Sequence, residues 1–225
     1  MDNKDYWIEK KEQLDAVYQG NKKVILGTVA AIVAIVGGSI YWSNYYMPAQ
    51  EKEASTKLAP LYFYFKNDSN NIVINGDKSK KIISALKIAD KYGSTKKGKE
   101  AALMAAISLM REKKYEQALD YISKTGAEDR TLNAAIINME AVCHSNLGDP
   151  SKAASLFKKA SSLAENEFSA EYLKRAGMHY EAAKEFDNAL SCYEEIESRY
   201  PTTSVGTDIG KYVAKMKAKL GEFNP

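Results

Sequence analysis

Apolar positions along this chain fall into two regimes. From Val24 to Ile40 they run unbroken apart from Thr28 and Ser39, and no charged residue occurs between Val24 and Gln50. Elsewhere they recur at spacings of three and four, the period of helices with one buried face. Alternating runs, the mark of strands, are absent except near Ile72 to Ile74. The pattern predicts an all-α chain, with a single N-terminal transmembrane helix followed by a solenoid of α-hairpins.

A helix from Val24 to Trp42 is about 28 Å long at roughly 1.5 Å per residue, close to the hydrocarbon thickness of a bilayer. A cleaved signal peptide is the competing reading, but Tyr41, Trp42, Tyr45 and Tyr46 stand where processing requires small residues. Those aromatics suit the headgroup level, so the span is set at 24–46, with Pro48 expected to end the helix. Lys4, Lys10, Lys11, Lys22 and Lys23 precede the span, which places residues 1–23 in the cytoplasm and the remainder outside. Lys52, Lys57 and Lys66 moderate that bias. In the tail, Trp7, Leu14 and Tyr18, with Ile8 and Val17, read as a short amphipathic helix that lies on the membrane surface or touches a cytoplasmic partner. Within the span, Gly27, Ala30, Ala31, Ala34 and Gly38 leave one face nearly free of bulk. Two readings of that face stand: a seat for another membrane helix, or the ordinary frequency of Gly and Ala in such segments.

Beyond the span the chain repeats itself. A small residue recurs at Ala106, Ala141 and Gly177, and Ala118, Ala153 and Ala189 follow twelve positions after each. Leu109, His144 and Tyr180 form a third set, Ile122, Phe157 and Tyr193 a fourth, and Thr125, Ala160 and Ile196 a fifth. Intervals of 35 and 36 residues make each unit one helical hairpin, in which the small residues let two helices approach and the larger ones fill the gaps. Leu147-Gly148-Asp149-Pro150 supplies a turn, with Gly to leave one helix and Pro to open the next. Leu173, Ala176, Gly177, Tyr180, Ala189, Tyr193 and Pro201 reproduce most of the tetratricopeptide pattern, with Leu173 in place of its Trp. The segment 99–203 thus resembles three tetratricopeptide repeats. Lys91-Tyr92-Gly93-Ser94-Thr95 echoes Arg199-Tyr200-Pro201-Thr202-Thr203, which makes 50–98 a degenerate hairpin with helices at 50–66 and 81–92 around an Asn-rich loop insertion or short extended segment, 67–77. Residues 204–225 carry the apolar stripe Ile209, Tyr212, Val213, Met216 and Leu220 and read as a capping helix. Asn138 is the candidate for the groove that such hairpins enclose.

Composition narrows the functional classes. Two Cys and two His leave no material for an elaborate metal or disulfide framework, and a net charge of +3 marks no nucleic-acid binder. No phosphate loop, paired-cysteine or hydrolase motif occurs, so no enzyme, cofactor or metal is expected. Cys143 and His144 are neighbours on a helix and point in different directions, so His144 is read as packing; Cys143 and Cys192 are read as free buried thiols, with a disulfide as the alternative. The acid pairs Glu128-Asp129 and Glu194-Glu195 are read as solvated. Eight Lys against one acid occupy 78–99, whereas thirteen acids against seven bases occupy 128–197. That polarity is a solvated surface, or it orients the domain over anionic headgroups or docks a basic client on the outer repeats.

A Lys-Lys flanked anchor followed by a short tetratricopeptide-like domain resembles the YfgM-like ancillary subunits of the bacterial Sec translocon. The Tyr-Gly-Ser-Thr-Lys and Tyr-Pro-Thr-Thr-Ser signatures at Tyr92 and Tyr200 are similar to those of anchored tetratricopeptide proteins of Bacteroidota. The resemblance implies a single-pass protein of the bacterial inner membrane with a periplasmic domain. Its implied partners are Sec translocon subunits, a membrane-anchored periplasmic prolyl isomerase, translocating client proteins and membrane lipid, in a chaperone-like, non-enzymatic role. A scaffold for another cell-envelope assembly is the alternative.

The repeat register has a direct test. Phe157→Ala is expected to cost about 3 to 5 kcal/mol by opening a cavity, and Ala189→Leu about 1 to 3 kcal/mol by overpacking, both read from thermal unfolding. Unchanged melting of both variants would refute the register.

Overall fold

The computed structural model describes residues 3–127, 129–164 and 166–221, and divides into two compact units, Met1–Lys52 and Glu53–Pro225. Among the described residues the regular structure is helical, with one isolated antiparallel bridge between Asp77 and Ile82. Residues 1, 2 and 222–225 of the predicted tail and cap lie outside the described residues, as does Glu128.

In the first unit, α1 (Asn3–Tyr41) is one unbroken helix, so the tail is not a separate amphipathic element. From Val24 to Tyr41 its side chains are exposed apart from Ile25, and the helix is long and apolar enough to cross a membrane. Its two aliphatic hydroxyls are already satisfied. Thr28 Oγ1 donates to the Val24 carbonyl at 2.9 Å and Ser39 Oγ to the Ile35 carbonyl at 2.8 Å, as a hydrocarbon environment demands.

Pro48 does not end the helix. A π-helical turn (Trp42–Tyr46) leads directly into α2 (Met47–Lys66), with the Met47 N–H donating to the Trp42 carbonyl five residues back. Such a turn widens the helix just before the proline, whose missing N–H and ring would otherwise conflict with the preceding turn. The aromatics pair along it, Tyr41 with Tyr45 at 6.0 Å and Trp42 with Tyr46 at 4.5 Å between ring centroids.

The second unit is the repeat array. After α2 come α3 (Asn70–Asn75) and α4 (Ala85–Tyr92). Three hairpins follow: α5 (Lys96–Arg111) with α6 (Tyr115–Ile122), α7 (Arg130–Asn146) with α8 (Pro150–Leu163), and α9 (Asn166–Ala182) with α10 (Phe186–Arg199). A 3₁₀ turn (Gly206–Asp208) and α11 (Gly210–Leu220) close the array. The Asn-rich stretch 67–77 is therefore not a simple loop, because α3 buries Val73 and Ile74. Its alternating Ile72 and Ile74 imitate a strand only in sequence. Similarly α4 begins at Ala85 rather than residue 81, since Ser84 caps it by accepting from the Lys87 N–H, and Lys81 adopts a φ of +56°.

One closure joins the two helices of every hairpin. The N–H groups of Lys114, Asp149 and Glu185 reach back five residues to the carbonyls of Leu109, His144 and Tyr180, at 2.9, 3.0 and 2.9 Å. The residue before each is left-handed: Lys113 at φ +58°, Gly148 at +85° and Lys184 at +62°. This is the Schellman arrangement, and α2 ends in it too, with Ser69 bonded to the Tyr64 carbonyl and Asp68 at φ +52°. Only the middle repeat uses glycine.

A second device turns the chain from one hairpin to the next. At both ends of the array a tyrosine carbonyl, Tyr92 or Tyr200, accepts the hydroxyl of a threonine three residues on, Thr95 or Thr203, at 2.7 Å. That threonine accepts the N–H of Gly98 or Gly206 at 2.9 and 3.0 Å. A Cβ at either glycine would overlap the tyrosine carbonyl oxygen, so the corner needs glycine. At the corresponding corner after α6, Thr125 bonds the Ile122 carbonyl in the same way, but no glycine stands six residues after Ile122 and α7 starts only at Arg130. Seven residues therefore separate the first repeat's last helix from the second repeat's first.

Lys184→Gly is expected to raise stability by about 0.5 to 1 kcal/mol, because a left-handed lysine costs roughly 1 to 2 kcal/mol and glycine returns part of that as chain entropy. Gly148→Lys should lower it by about 1 kcal/mol. Denaturant midpoints of the two variants check both signs.

Candidate protein-interaction site

The repeat residues singled out in the sequence lie in the interior. Ala106, Ala118, Ala141, Ala153, Phe157, Ala189 and Tyr193 are buried, and so is Tyr180. The interior forms three clusters. One joins α2 to α5, a second joins α3, α5, α6 and one face of α7, and the third runs from the other face of α7 to α11. In the third, the Tyr193 ring lies against Gly177, where any Cβ would overlap it. Its hydroxyl donates to Glu181 at 2.8 Å, Glu181 also pairs with Lys215, and Tyr212 covers the ring at 5.2 Å. Phe157 stacks on His179 at 5.1 Å between centroids. Burial, with a lesser contribution from Arg175, holds the His179 imidazole below its ordinary pKa.

No hydrolytic constellation emerges among these groups. Cys143 is buried in the second cluster and Cys192 in the third, both as free thiols. His144 lies not in the interior but along a cleft. Asp129 caps α7 by accepting from the Leu132 N–H at 2.8 Å, while Glu194 pairs with Lys217 and Glu195 with Arg199. Gly27, Ala30, Ala31, Ala34 and Gly38 are exposed on α1.

Polar bonds about one repeat long stitch the array. Lys57 reaches Tyr92, Tyr62 reaches Glu100, Lys124 reaches Asp90, Arg175 reaches Asn138, Ser151 reaches Glu185, and Ser204 reaches Glu167. Asn138, the candidate groove residue, is thus half-buried and tied to Arg175 at 3.5 Å. None of these bonds joins α5 and α6 to α7 and α8.

Clefts open on both sides of that seam. The first, of about 680 Å³, lies between the amino-terminal halves of α5 and α7, walled by Leu103, Leu132 and Ile136 and rimmed by Lys96 and Lys99. The second, of about 530 Å³, lies among α6, α7 and α8, and takes in Glu140, His144 and Lys159. Leu132 is 43% exposed, and Phe168, one repeat later, is 64% exposed. Sequence spacing marked neither cleft.

Beside the first cleft, Tyr62 donates to Glu100 at 2.6 Å, and Lys97 bonds both Tyr62 and Glu100, at 3.0 and 2.7 Å. Burial pushes the Glu100 carboxyl up, but the bonds from Lys97 and Tyr62 outweigh it and hold the group below its ordinary value. Lys97 is correspondingly raised, chiefly by Glu100. Both stay charged at neutral pH.

Helical hairpins of 35 to 36 residues, closed alike and stacked in register, are a repeat architecture, and a model of the tetratricopeptide repeat-like domain matches residues 16–217. The chain belongs to that family. The matched residues take in the whole charge-free stretch 24–50 as well as the repeats. No curated protein matches the chain. Membership makes this tetratricopeptide repeat-like chain a protein-interaction module, and no enzymatic family is indicated.

Burial raises the thiol pKa of both Cys143 and Cys192 to about 11, so thiolate-directed reagents are expected to label the native protein slowly at pH 8. In mild denaturant Cys143, beside the seam, should label before Cys192. Mass spectrometry of the labelled peptides reads the order; the reverse order would contradict the account of the seam.

Proposed function

We propose that this protein is a membrane-anchored, non-enzymatic interaction module that acts beside the protein-translocation channel of a bacterial inner membrane, handling segments as they emerge on the periplasmic side. The observation that carries the reading is the continuity of one family model across a helix able to span a bilayer and an array of stacked hairpins. The lysines at the amino-terminal flank support a cytoplasmic tail of residues 1–23 and a periplasmic array. The resemblance to YfgM-like ancillary translocon subunits supports the choice of channel, of a membrane-anchored prolyl isomerase as associate, and of translocating proteins as clients.

Each part has a binding role suited to what it can bury. Gly27, Ala30, Ala31, Ala34 and Gly38 leave α1 smooth enough for close packing against a neighbouring membrane helix. The array offers the face that carries Asn138, whose bond to Arg175 leaves it half-buried. Tethering raises the local concentration of that face near its partners, so modest affinities suffice.

Protease added to intact spheroplasts is expected to remove residues beyond Tyr46; full protection before lysis would reverse the orientation. A photo-crosslinker replacing Ala34 should capture a translocon subunit or its isomerase associate, and one replacing Asn138 a periplasmic protein. Only lipid and self adducts at both positions would refute the reading.

A further inference from the structure

The first cleft has an uneven charge balance. Among the described residues four charged side chains line it: Lys96, Lys99, Glu100 and Asp129. Both acids are engaged by the chain itself, Glu100 by Lys97 and Tyr62, Asp129 as the cap of α7. Lys96 and Lys99 are exposed and have no acidic partner among the described residues, and the first turn of α5 holds no acid to offset them. They belong to the stretch 78–99, which holds eight lysines and one acid, Asp90, itself taken by Lys124 and Tyr121; Lys80, Lys91 and Lys97 pair with acids outside the stretch. Beneath the two ammonium groups the wall is apolar, formed by Leu103, Leu132 and Ile136. Among the described residues the lysines around the cleft, Lys96, Lys97 and Lys99, outnumber its two carboxylates, and an excess of positive charge beside an apolar wall selects an occupant with carboxylates next to a large apolar side chain.

We propose that this cleft binds an acidic peptide segment. An aliphatic or aromatic side chain of the segment enters between α5 and α7 against Leu103, Leu132 and Ile136, and carboxylates next to it in sequence meet Lys96 and Lys99. The inference deepens the interaction reading above and rests on it: it names the partner chemistry and moves the contact from Asn138 to the seam between the first two repeats. It also inverts the expectation from charge distribution, because the lysines of the cleft come from the basic stretch 78–99, at its border with the acidic one.

The test uses the full chain in detergent micelles and a fluorescein-labelled peptide, Asp-Asp-Leu-Phe-Glu-Glu, with Lys-Lys-Leu-Phe-Lys-Lys as its charge-reversed control. Fluorescence anisotropy is expected to show saturable binding of the acidic probe alone. The pair K96E/K99E should weaken it about tenfold or more, while its melting temperature stays near that of the parent. Leu132→Asp, a change at a half-exposed wall residue, should weaken it similarly, and K211E, at the far end of the array, should leave it unchanged. Binding that survives K96E/K99E but falls with Asn138→Ala overturns the cleft and leaves the groove reading standing. Equal binding of both probes overturns the charge argument. Dihexanoylphosphatidylglycerol binding that depends on Lys96 and Lys99, without binding of the acidic peptide, assigns the lysines to lipid and overturns the proposal. Failure of both probes overturns it as well, while a protein adduct at position 138 still separates that outcome from failure of the general reading.

Discussion

A helix that stops leaves carbonyls without partners, and the way this chain satisfies them governs everything after α1. Each hairpin ends its first helix by turning one residue left-handed and returning an N–H five residues back, to Tyr64, Leu109, His144 or Tyr180. A single repeated closure aims each following segment alike, so the small residues at Ala141 and Gly177 come opposite the helices they must admit. Hydrophobic burial then adds what the turns have already positioned: Tyr193 on Gly177, Phe157 under His179.

Much of this was legible as spacing. Ala106, Ala141 and Gly177 give the register, and Gly148 with Pro150 gives one turn outright. The same turn at Lys113 and Lys184 was invisible, because lysine carries no sign of a left-handed backbone and the hydrogen bonds alone hold it there. Proline misled for a related reason. Pro48 lies inside a helical course because the π turn before it removes the conflict that makes proline a breaker. Ile72 and Ile74 alternate as in a strand, yet α3 holds them, since six residues are too few for period to decide.

The candidate site was less legible, for a physical reason. Packing positions repeat, whereas a cleft is a failure of packing and appears where the repeat is broken. Asn138 is the groove candidate of the sequence, and the structure ties it to Arg175. The opening lies instead one junction earlier, where seven residues separate Ile122 from the start of α7. Lys96 and Lys99 were legible only as members of a basic run; that they have no acidic partner among the described residues needed the neighbouring side chains.

The division of α7 between two cores bears on how the array comes apart. Ile136 and Cys143 face the first repeat, while Ile137 and Ala141 face the rest. In a linear array, cooperativity is transmitted only through neighbouring interfaces, and its weakest interface sets the size of the unit that melts together. The seam makes α7 the shared wall of two folding blocks, α2 to α6 on one side and α8 to α11 on the other. A protein tethered at one end and pulled at the other by a bound chain would yield first at that wall, releasing its outer hairpins as one block while the inner ones stay folded.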